Sequence, residues 1–195
     1  MMCQQTLAFR HRLKSKETLS SGGVIAYPTE AVFGLGCDPF HEEAVSRLLL
    51  IKRRPVKKGL ILVAADQQQI QPLISRLSKS EMQRLEESWP GPVTWLLPDP
   101  DHWIPQWVKG DFSSVAVRVS AHPVVHSLCR IWGGPIVSTS ANQSGQPPVR
   151  SACLIRKKYR QGELAVDYIV PGETQKRRNP TEIRDIQSGR IVRIG

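Results

Sequence analysis

Several short motifs place hydroxyls, cations or tight-turn residues in or beside apolar stretches that are typical of strands. In chain order they are YPTE (27–30), IKRRP (51–55), WPGPVT (89–94), VAVRV (115–119) and STSANQSG (138–145). Open α/β sheets bind ligands just outside the carboxyl ends of their strands. The chain has neither a P-loop nor a Gly-x-Gly-x-x-Gly turn after a strand. Phosphate binding would therefore have to use side-chain cations and hydroxyls.

The charge of the chain supports an anionic ligand. Lysine and arginine number 27 against 17 aspartate and glutamate, which leaves a formal net charge of +10. Such an excess predicts attraction to nucleic acid or to a phosphorylated small molecule. The basic residues cluster at 10–16, 52–58, 156–160 and 176–178. A single cluster of this kind is also what a solvated face would show.

Length and composition favour one cytoplasmic domain over residues 1–195. A chain of 195 residues with 40% hydrophobic content can bury a real core. No apolar run approaches a membrane span, and the N-terminal segment lacks the apolar block of a signal peptide. The four cysteines form no Cys-x-x-Cys pair, and no histidine group has a full ligand set, so we predict no metal-binding residues.

Hydrophobic periodicity predicts strands and helices that alternate through the middle of the chain. Long helices are expected over 4–20, 41–52, 123–132 and 151–161. Asp66 can cap one short helix, and Ser78 with Glu81 forms a capping-box signature before another. Strands are expected over 23–27, 60–65, 93–97, 115–119, 135–139, 166–170, 181–186 and 190–194. This order indicates an α/β fold, a single domain with a twisted mixed open sheet flanked by helices.

Taken together, the motifs resemble the YrdC/TsaC family of threonylcarbamoyl-AMP synthases. The similarity rests on YPTEAVFGLG, KRRP followed by KGLILVAA, WPGPVT, VAVRVSAHP, PIVSTSANQSGQPP, and the closing NPTEIRD with IVRIG. Their order and spacing match from about residue 22 to the C-terminus. One such motif would be weak evidence, whereas six in order are specific.

The resemblance implies an enzyme, a nucleotidyltransferase with a positively charged concave face. It would combine L-threonine, bicarbonate or carbon dioxide, and ATP into threonylcarbamoyl-adenylate and pyrophosphate. Partner proteins would then transfer the threonylcarbamoyl group to the adenosine beside the anticodon of tRNAs. Mg²⁺ would arrive with ATP, and the basic face could contact tRNA directly.

The resemblance also assigns the site residues. Lys52 and Arg54 would grip the triphosphate and serve as the catalytic pair, and both are expected in an exposed basic loop. The full nucleotide set is Lys52, Arg54, Ser114, Ser140, Asn142 and Arg193. The threonine set is Thr29, Arg118, Ser138 and Thr181. Gly34 and Gly36 would let the backbone approach the ligand closely.

Arg118 and Glu30 have alternative interpretations. Arg118 lies in the middle of a predicted strand, where it could be solvated on the outer face or, by resemblance, could bind the threonine carboxylate. Glu30 is the nearest candidate for a general base. Catalysis could instead rest on placing the carbamate against the α-phosphorus and on neutralising charge.

Two other functions stay open at this point. The first is an RNA-binding or ribosome-maturation factor with a regulatory nucleotide pocket, which the +10 charge supports. The low aromatic content of 6% argues against it, because base stacking needs aromatic side chains. The second is an acyl- or carbamoyl-phosphate hydrolase, which predicts no adenylate product. Pyrophosphate release without RNA separates these alternatives.

Overall fold

A mixed β-sheet forms the centre of the molecule. The computed structural model describes residues 7–162, 164–175 and 181–194. Within these residues nine strands form one sheet in the order β7-β1-β2-β6-β3-β5-β4-β8-β9. The strands are β1 (Ile25–Pro28), β2 (Phe33–Gly36), β3 (Ile61–Ala64), β4 (Val93–Pro98), β5 (Ser114–Val119), β6 (Ile136–Ser140), β7 (Tyr168–Ile169), β8 (Glu182–Asp185) and β9 (Ile191–Arg193).

Both strand directions occur in the sheet, and helices flank it. The pairs β1/β7, β3/β5 and β4/β8 are parallel, and the other neighbours are antiparallel. The helices are α1 (Phe9–Ser20), α2 (Glu42–Lys52), α3 (Gln71–Ile74), α4 (Lys79–Ser88), α5 (Gln106–Lys109), α6 (Pro123–Trp132) and α7 (Ala152–Tyr159). The predicted fold class, a single α/β domain with a mixed sheet, is confirmed.

The two faces of the sheet carry different side chains because successive residues of a strand point to opposite faces. In β3, Leu62 and Ala64 belong to the larger hydrophobic cluster, whereas Val63 belongs to a smaller one with residues of α1 and α6. The smaller cluster fills only part of its face. The rest of that face, which includes Ile61 and Ser138, lines an open cavity.

Most predicted elements are present with shifted ends. The helix expected over 4–20 begins at Phe9, and residues 4–6 lie outside the described residues. The Ser78 and Glu81 capping box is present, and the Asp66 carboxylate accepts a hydrogen bond from the Gln69 amide. The basic cluster at 176–178 lies outside the described residues.

Strand β2 is the main element that the sequence did not predict. Two of its four residues are glycine, which weakens a strand pattern. A Cβ atom at Gly36 would lie 2.3 Å from the Val137 carbonyl oxygen of the adjacent strand. Gly36 therefore permits close strand packing, and the prediction that it serves ligand approach is wrong. Gly34 does line the cavity.

Candidate functional site

The cavity on the partly covered sheet face has a volume of about 520 Å³. Five strands, β2, β3, β5, β6 and β9, contribute residues to it, and the loop after β1 closes one side. Seven of the ten predicted site residues line it, which are Thr29, Arg54, Arg118, Ser138, Ser140, Thr181 and Arg193. Residues that are distant in the sequence thus converge on one concave surface, which is the kind of surface that the resemblance implied.

Three guanidinium groups form a row in this cavity. Burial lowers the pKa of Arg54, and the positive charge of Arg193 lowers it further. Burial likewise lowers the pKa of Arg193, with a further contribution from Arg118. Arg193 and Arg118 both donate hydrogen bonds to Thr181, whereas Arg193 and Arg54 line both this cavity and an adjoining one, so Arg193 lies between Arg54 and Arg118. The row concentrates positive charge where an anion can reach it.

Arg118 lies at one end of the row and is only 6% exposed. Its Nη1 donates a hydrogen bond of 2.9 Å to the Thr181 hydroxyl, and its Nη2 lies 3.4 Å from a Glu30 carboxylate oxygen. The Nε atom of Arg118 has no hydrogen-bond partner among the described residues. The interpretation of Arg118 as a solvated strand residue is therefore wrong.

Among the described residues that line the cavity, Glu30 is the only one with a carboxylate side chain. It is 4% exposed, and its Oε1 accepts a hydrogen bond of 2.6 Å from the Ser120 hydroxyl. Burial acts to raise the pKa of Glu30, but Arg118 and Ser120 outweigh burial and hold that pKa below its usual range. Glu30 is thus an ionised carboxylate of low basicity, which weighs against the candidate general base.

The hydroxyls of the predicted threonine set have defined roles in the wall. The Thr29 hydroxyl donates to the Val32 carbonyl at 2.7 Å, which closes the turn between β1 and β2. Thr181 shares a hydroxyl contact of 3.3 Å with Thr94, and its carbonyl accepts a hydrogen bond from Arg193. Ser138 is buried on β6 beside the cavity. These contacts fix the positions of the Thr29 and Thr181 hydroxyls.

Arg54 faces the cavity from the loop after α2. Its Nε and Nη2 donate to the Gly59 carbonyl at 3.2 and 2.8 Å, and Nη2 also donates to the Lys58 carbonyl. These bonds orient the guanidinium and leave Nη1 for another acceptor. Arg54 thus lies in the basic segment after α2 and lines the cavity, and its role as a phosphate ligand stays a prediction.

Lys52 does not lie where the sequence predicted. It is the last residue of α2 and is only 3% exposed, so the expectation of an exposed loop is wrong. Its ammonium donates to the Ser140 carbonyl, to the Asn142 carbonyl at 2.7 Å and, more weakly, to Asn142 Oδ1 at 3.5 Å. The Lys52 carbonyl also accepts a hydrogen bond from the Ser144 amide. Lys52 therefore holds the loop after β6 from behind the cavity wall.

Asn142 is the counterpart of Lys52 in this arrangement and also lies outside the cavity lining. Its side-chain oxygen accepts a hydrogen bond of 2.6 Å from the Ser140 hydroxyl. Its side-chain amide donates to the carbonyls of Gln143 and Gln146. Because these bonds occupy the amide, Asn142 acts as a scaffold that positions Ser140 at the cavity.

We expect Lys52→Met to loosen this loop in the ligand-free protein. Burial, together with Arg54 and Lys158, lowers the pKa of Lys52 to about 8, so Lys52 is charged at pH 7. Losing a charge-assisted hydrogen bond costs about 1.5–3 kcal/mol, so the Asn142 and Ser144 amides should exchange hydrogen at least about tenfold faster. Lys57→Met, at an exposed lysine of the next turn, is the control. If amide hydrogen exchange is unchanged in Lys52→Met but ATP binding is lost, Lys52 is a phosphate ligand, as the resemblance implied.

A second cavity of about 200 Å³ adjoins the first one and contains the remaining predicted residue, Ser114. Arg54, Leu60, Ile61 and Arg193 line both cavities. The floor of the second cavity is apolar, and Phe112 lies at its edge with half of its surface exposed. The arrangement suits a flat aromatic ligand group joined to an anionic one.

Sequence reasoning missed the supporting residues. The Ser120 hydroxyl holds Glu30, the His122 amide in turn donates to that hydroxyl, and Phe112 lies at the edge of the second cavity. A signal existed only for Ser120, which directly follows the predicted strand 115–119.

In the part of the chain that the structure describes, no group of three or more histidine, cysteine or acidic side chains could hold a metal ion. No described helix is both long and apolar enough to cross a membrane.

Fold and site define the class: an α/β protein with a cationic cavity on one face of a mixed sheet. The Sua5/YciO/YrdC family model, described as Telomere recombination, matches residues 17–195. A threonylcarbamoyl-AMP synthase from Cellvibrio japonicus is 53% identical over 175 residues, which are 90% of this chain and 90% of that protein. The chain belongs to the Sua5/YciO/YrdC family.

Solved structures agree with this assignment. P. abyssi Sua5 in complex with L-threonine aligns with a TM-score of 0.81 and 29% identity, covering 91% of this chain and 51% of that chain. A doubly substituted P. abyssi Sua5 aligns with a TM-score of 0.84 and 28% identity, covering 94% of this chain and 55% of that chain. The chain thus spans about half the length of these Sua5 structures.

Proposed function

We propose that this protein is a threonylcarbamoyl-AMP synthase, an enzyme that makes threonylcarbamoyl-adenylate and pyrophosphate from L-threonine, bicarbonate or carbon dioxide, and ATP. The observation that carries the proposal is the row of Arg54, Arg193 and Arg118 in one cavity, with Glu30 opposite the last of them. Such a reaction must bring two anions together, and the row supplies the cations. The family and the synthase relatives support the same activity.

The geometry supports a placement for each substrate. The triphosphate would lie against Arg54 and Arg193, whose guanidinium groups can bind phosphate oxygens in pairs. The adenosine group would extend into the second cavity, with Ser114 beside it and Phe112 available for stacking. Threonine would place its carboxylate on Arg118 and its remaining groups near Thr29, Ser138 and Thr181. A Sua5 neighbour was solved with L-threonine.

The proposed chemistry rests on position and charge more than on proton transfer by a side chain. The threonine amine reacts with carbon dioxide to give a carbamate and a proton, and a carbamate oxygen then attacks the α-phosphorus of ATP. The bond from the α-phosphorus to the bridging oxygen breaks, and pyrophosphate leaves with its electron pair. Arg54 and Arg193 would offset the charge on the leaving group. Lys52, Ser140 and Asn142 would keep the adjoining wall in place.

Mg²⁺ is proposed to enter with ATP as part of the substrate. Glu30, the carboxylate of the described cavity lining, is paired with Arg118. The wall therefore offers few oxygen ligands of its own, and the cation would be held mainly by phosphate and water.

We further propose a cytoplasmic enzyme whose product passes to partner proteins that modify tRNA beside the anticodon. Direct tRNA contact through the basic face is a separate proposal.

The test uses purified protein with ATP, L-threonine and bicarbonate in the absence of RNA. We expect pyrophosphate release that depends on all three substrates, together with an adenylate that contains the threonine carbon skeleton. Omitting threonine is the matched control for ATP hydrolysis. Pyrophosphate release only with RNA would favour the RNA-binding alternative, and phosphate release without an adenylate would favour the hydrolase.

A further inference from the structure

Negative charge compensates the arginine row at one end only. Glu30 forms an ion pair with Arg118, whose Nη2 lies 3.4 Å from a Glu30 carboxylate oxygen. In the part of the chain that the structure describes, neither Arg54 nor Arg193 forms an ion pair with a carboxylate. The cavity thus has an uncompensated cationic end and a nearly neutral end.

Glu30 is fixed firmly in this position. The Ser120 hydroxyl donates to its Oε1, and the His122 amide donates to the same hydroxyl at 3.1 Å. The other oxygen, Oε2, faces Arg118 and has no hydrogen-bond partner among the described residues. Since both side chains are almost fully buried, the pair cannot rearrange freely around a ligand.

We propose that Glu30 is a specificity-determining residue that directs the two anionic substrates to different ends of the cavity. The proposal rests on the function proposed above. By compensating Arg118, Glu30 would leave the triphosphate to Arg54 and Arg193 and reserve Arg118 for the amino-acid carboxylate.

The physical reason is the difference in charge between the two ligands. A polyphosphate carries several negative charges and is attracted most strongly to uncompensated cations. A single carboxylate depends more on paired donors in the correct geometry. A guanidinium has five N–H donors, and the described contacts of Arg118 to Thr181 and Glu30 use only part of them. Arg118 therefore keeps donors for a carboxylate while its net charge is offset.

The experiment compares Glu30→Gln with wild type, because glutamine keeps the shape and an oxygen acceptor for Ser120 but removes the charge. Inorganic tripolyphosphate and L-threonine are the probes, and calorimetry measures each alone and in the presence of the other. In wild type, we expect the two probes to bind together. In Glu30→Gln, we expect tripolyphosphate to bind about tenfold more tightly and to compete with threonine.

The matched control is Asp101→Asn, which makes the same change in net charge at an exposed ion pair with Arg76. It should leave both affinities unchanged. Glu30→Asp keeps the charge and should retain simultaneous binding even if its threonine affinity falls. This variant and the wild-type competition still test the proposal if Glu30→Gln fails to fold.

Two results would overturn the proposal. One is an unchanged tripolyphosphate affinity in folded Glu30→Gln, and the other is displacement of threonine by tripolyphosphate from wild type. Failure of the proposed function would look different. In that case wild type would not bind threonine or would release no pyrophosphate from ATP, while the tripolyphosphate comparison would still measure the influence of Glu30 on the arginine row.

Discussion

Arg118→Lys should lower the affinity for L-threonine by about 10- to 100-fold and leave ATP affinity nearly unchanged. The estimate follows from the loss of charge-assisted hydrogen bonds worth about 1.5–3 kcal/mol. Lysine keeps the positive charge opposite Glu30 but loses the planar pair of donors that a carboxylate requires. Titration calorimetry with each ligand measures both dissociation constants.

Arg118→Ala separates the remaining explanations for this position. If Arg118 neutralises the triphosphate, ATP affinity should fall in Arg118→Ala and partly recover in Arg118→Lys, because an ammonium still acts as a point charge. If Arg118 only supports Glu30 and Thr181, both ligands should bind less tightly, and the protein should also unfold more readily. Undiminished threonine binding in Arg118→Ala would exclude the proposed carboxylate contact.

The amino-acid sequence was sufficient to predict most strands of the sheet and most of the candidate residues that line the cavity. Largely apolar runs such as 60–65 and 115–119 predicted central strands because a short apolar run is typical of a buried strand. Strand β2 was not predicted, because Gly34 and Gly36 remove the side-chain pattern that identifies a strand. Its position depends on contact with β6, and local sequence does not encode that contact.

The roles of neighbouring cations could not be predicted from their spacing. Lys52 ends α2 and points behind the wall, and Arg53 adopts a left-handed conformation with φ of 49° that ends the helix. Arg54 then turns back towards the cavity. Three consecutive side chains thus have three different environments, because the helix end reverses the chain. Only the packing of the 140–144 loop reveals that the Lys52 ammonium is already occupied.

The sequence identified Glu30 as a candidate functional residue, but its ion pair with Arg118 could not be predicted from the sequence. A carboxylate beside a cavity is a natural candidate for a base when only its sequence position is known. Its partners, Arg118 and Ser120, lie about ninety residues away in the chain and reach it through the order of the sheet strands. The pairing makes Glu30 a stable anion, which changes its proposed role from proton transfer to selection between ligands.

Arg54→Ala should weaken ATP binding by about 10- to 100-fold while leaving threonine affinity nearly unchanged. The guanidinium lies where both cavities meet, and its Nη1 is available after Nε and Nη2 have bound the Lys58 and Gly59 carbonyls. Loss of a phosphate contact to a charged group costs about 1.5–3 kcal/mol, which gives the stated range. Calorimetry with ATP in the presence of Mg²⁺ measures the change.

The adjacent arginine provides the control for Arg54. Arg53 is exposed and lines a different surface pocket, so Arg53→Ala removes the same charge one residue away without touching the cavity. Because Arg54 also supports the turn at Gly59, thermal unfolding must be measured for both variants. A loss of ATP affinity that exceeds any loss of stability, and that Arg53→Ala does not share, assigns the effect to phosphate contact. Equal losses in both variants would show that only the overall charge of this segment matters and would remove Arg54 from the proposed site.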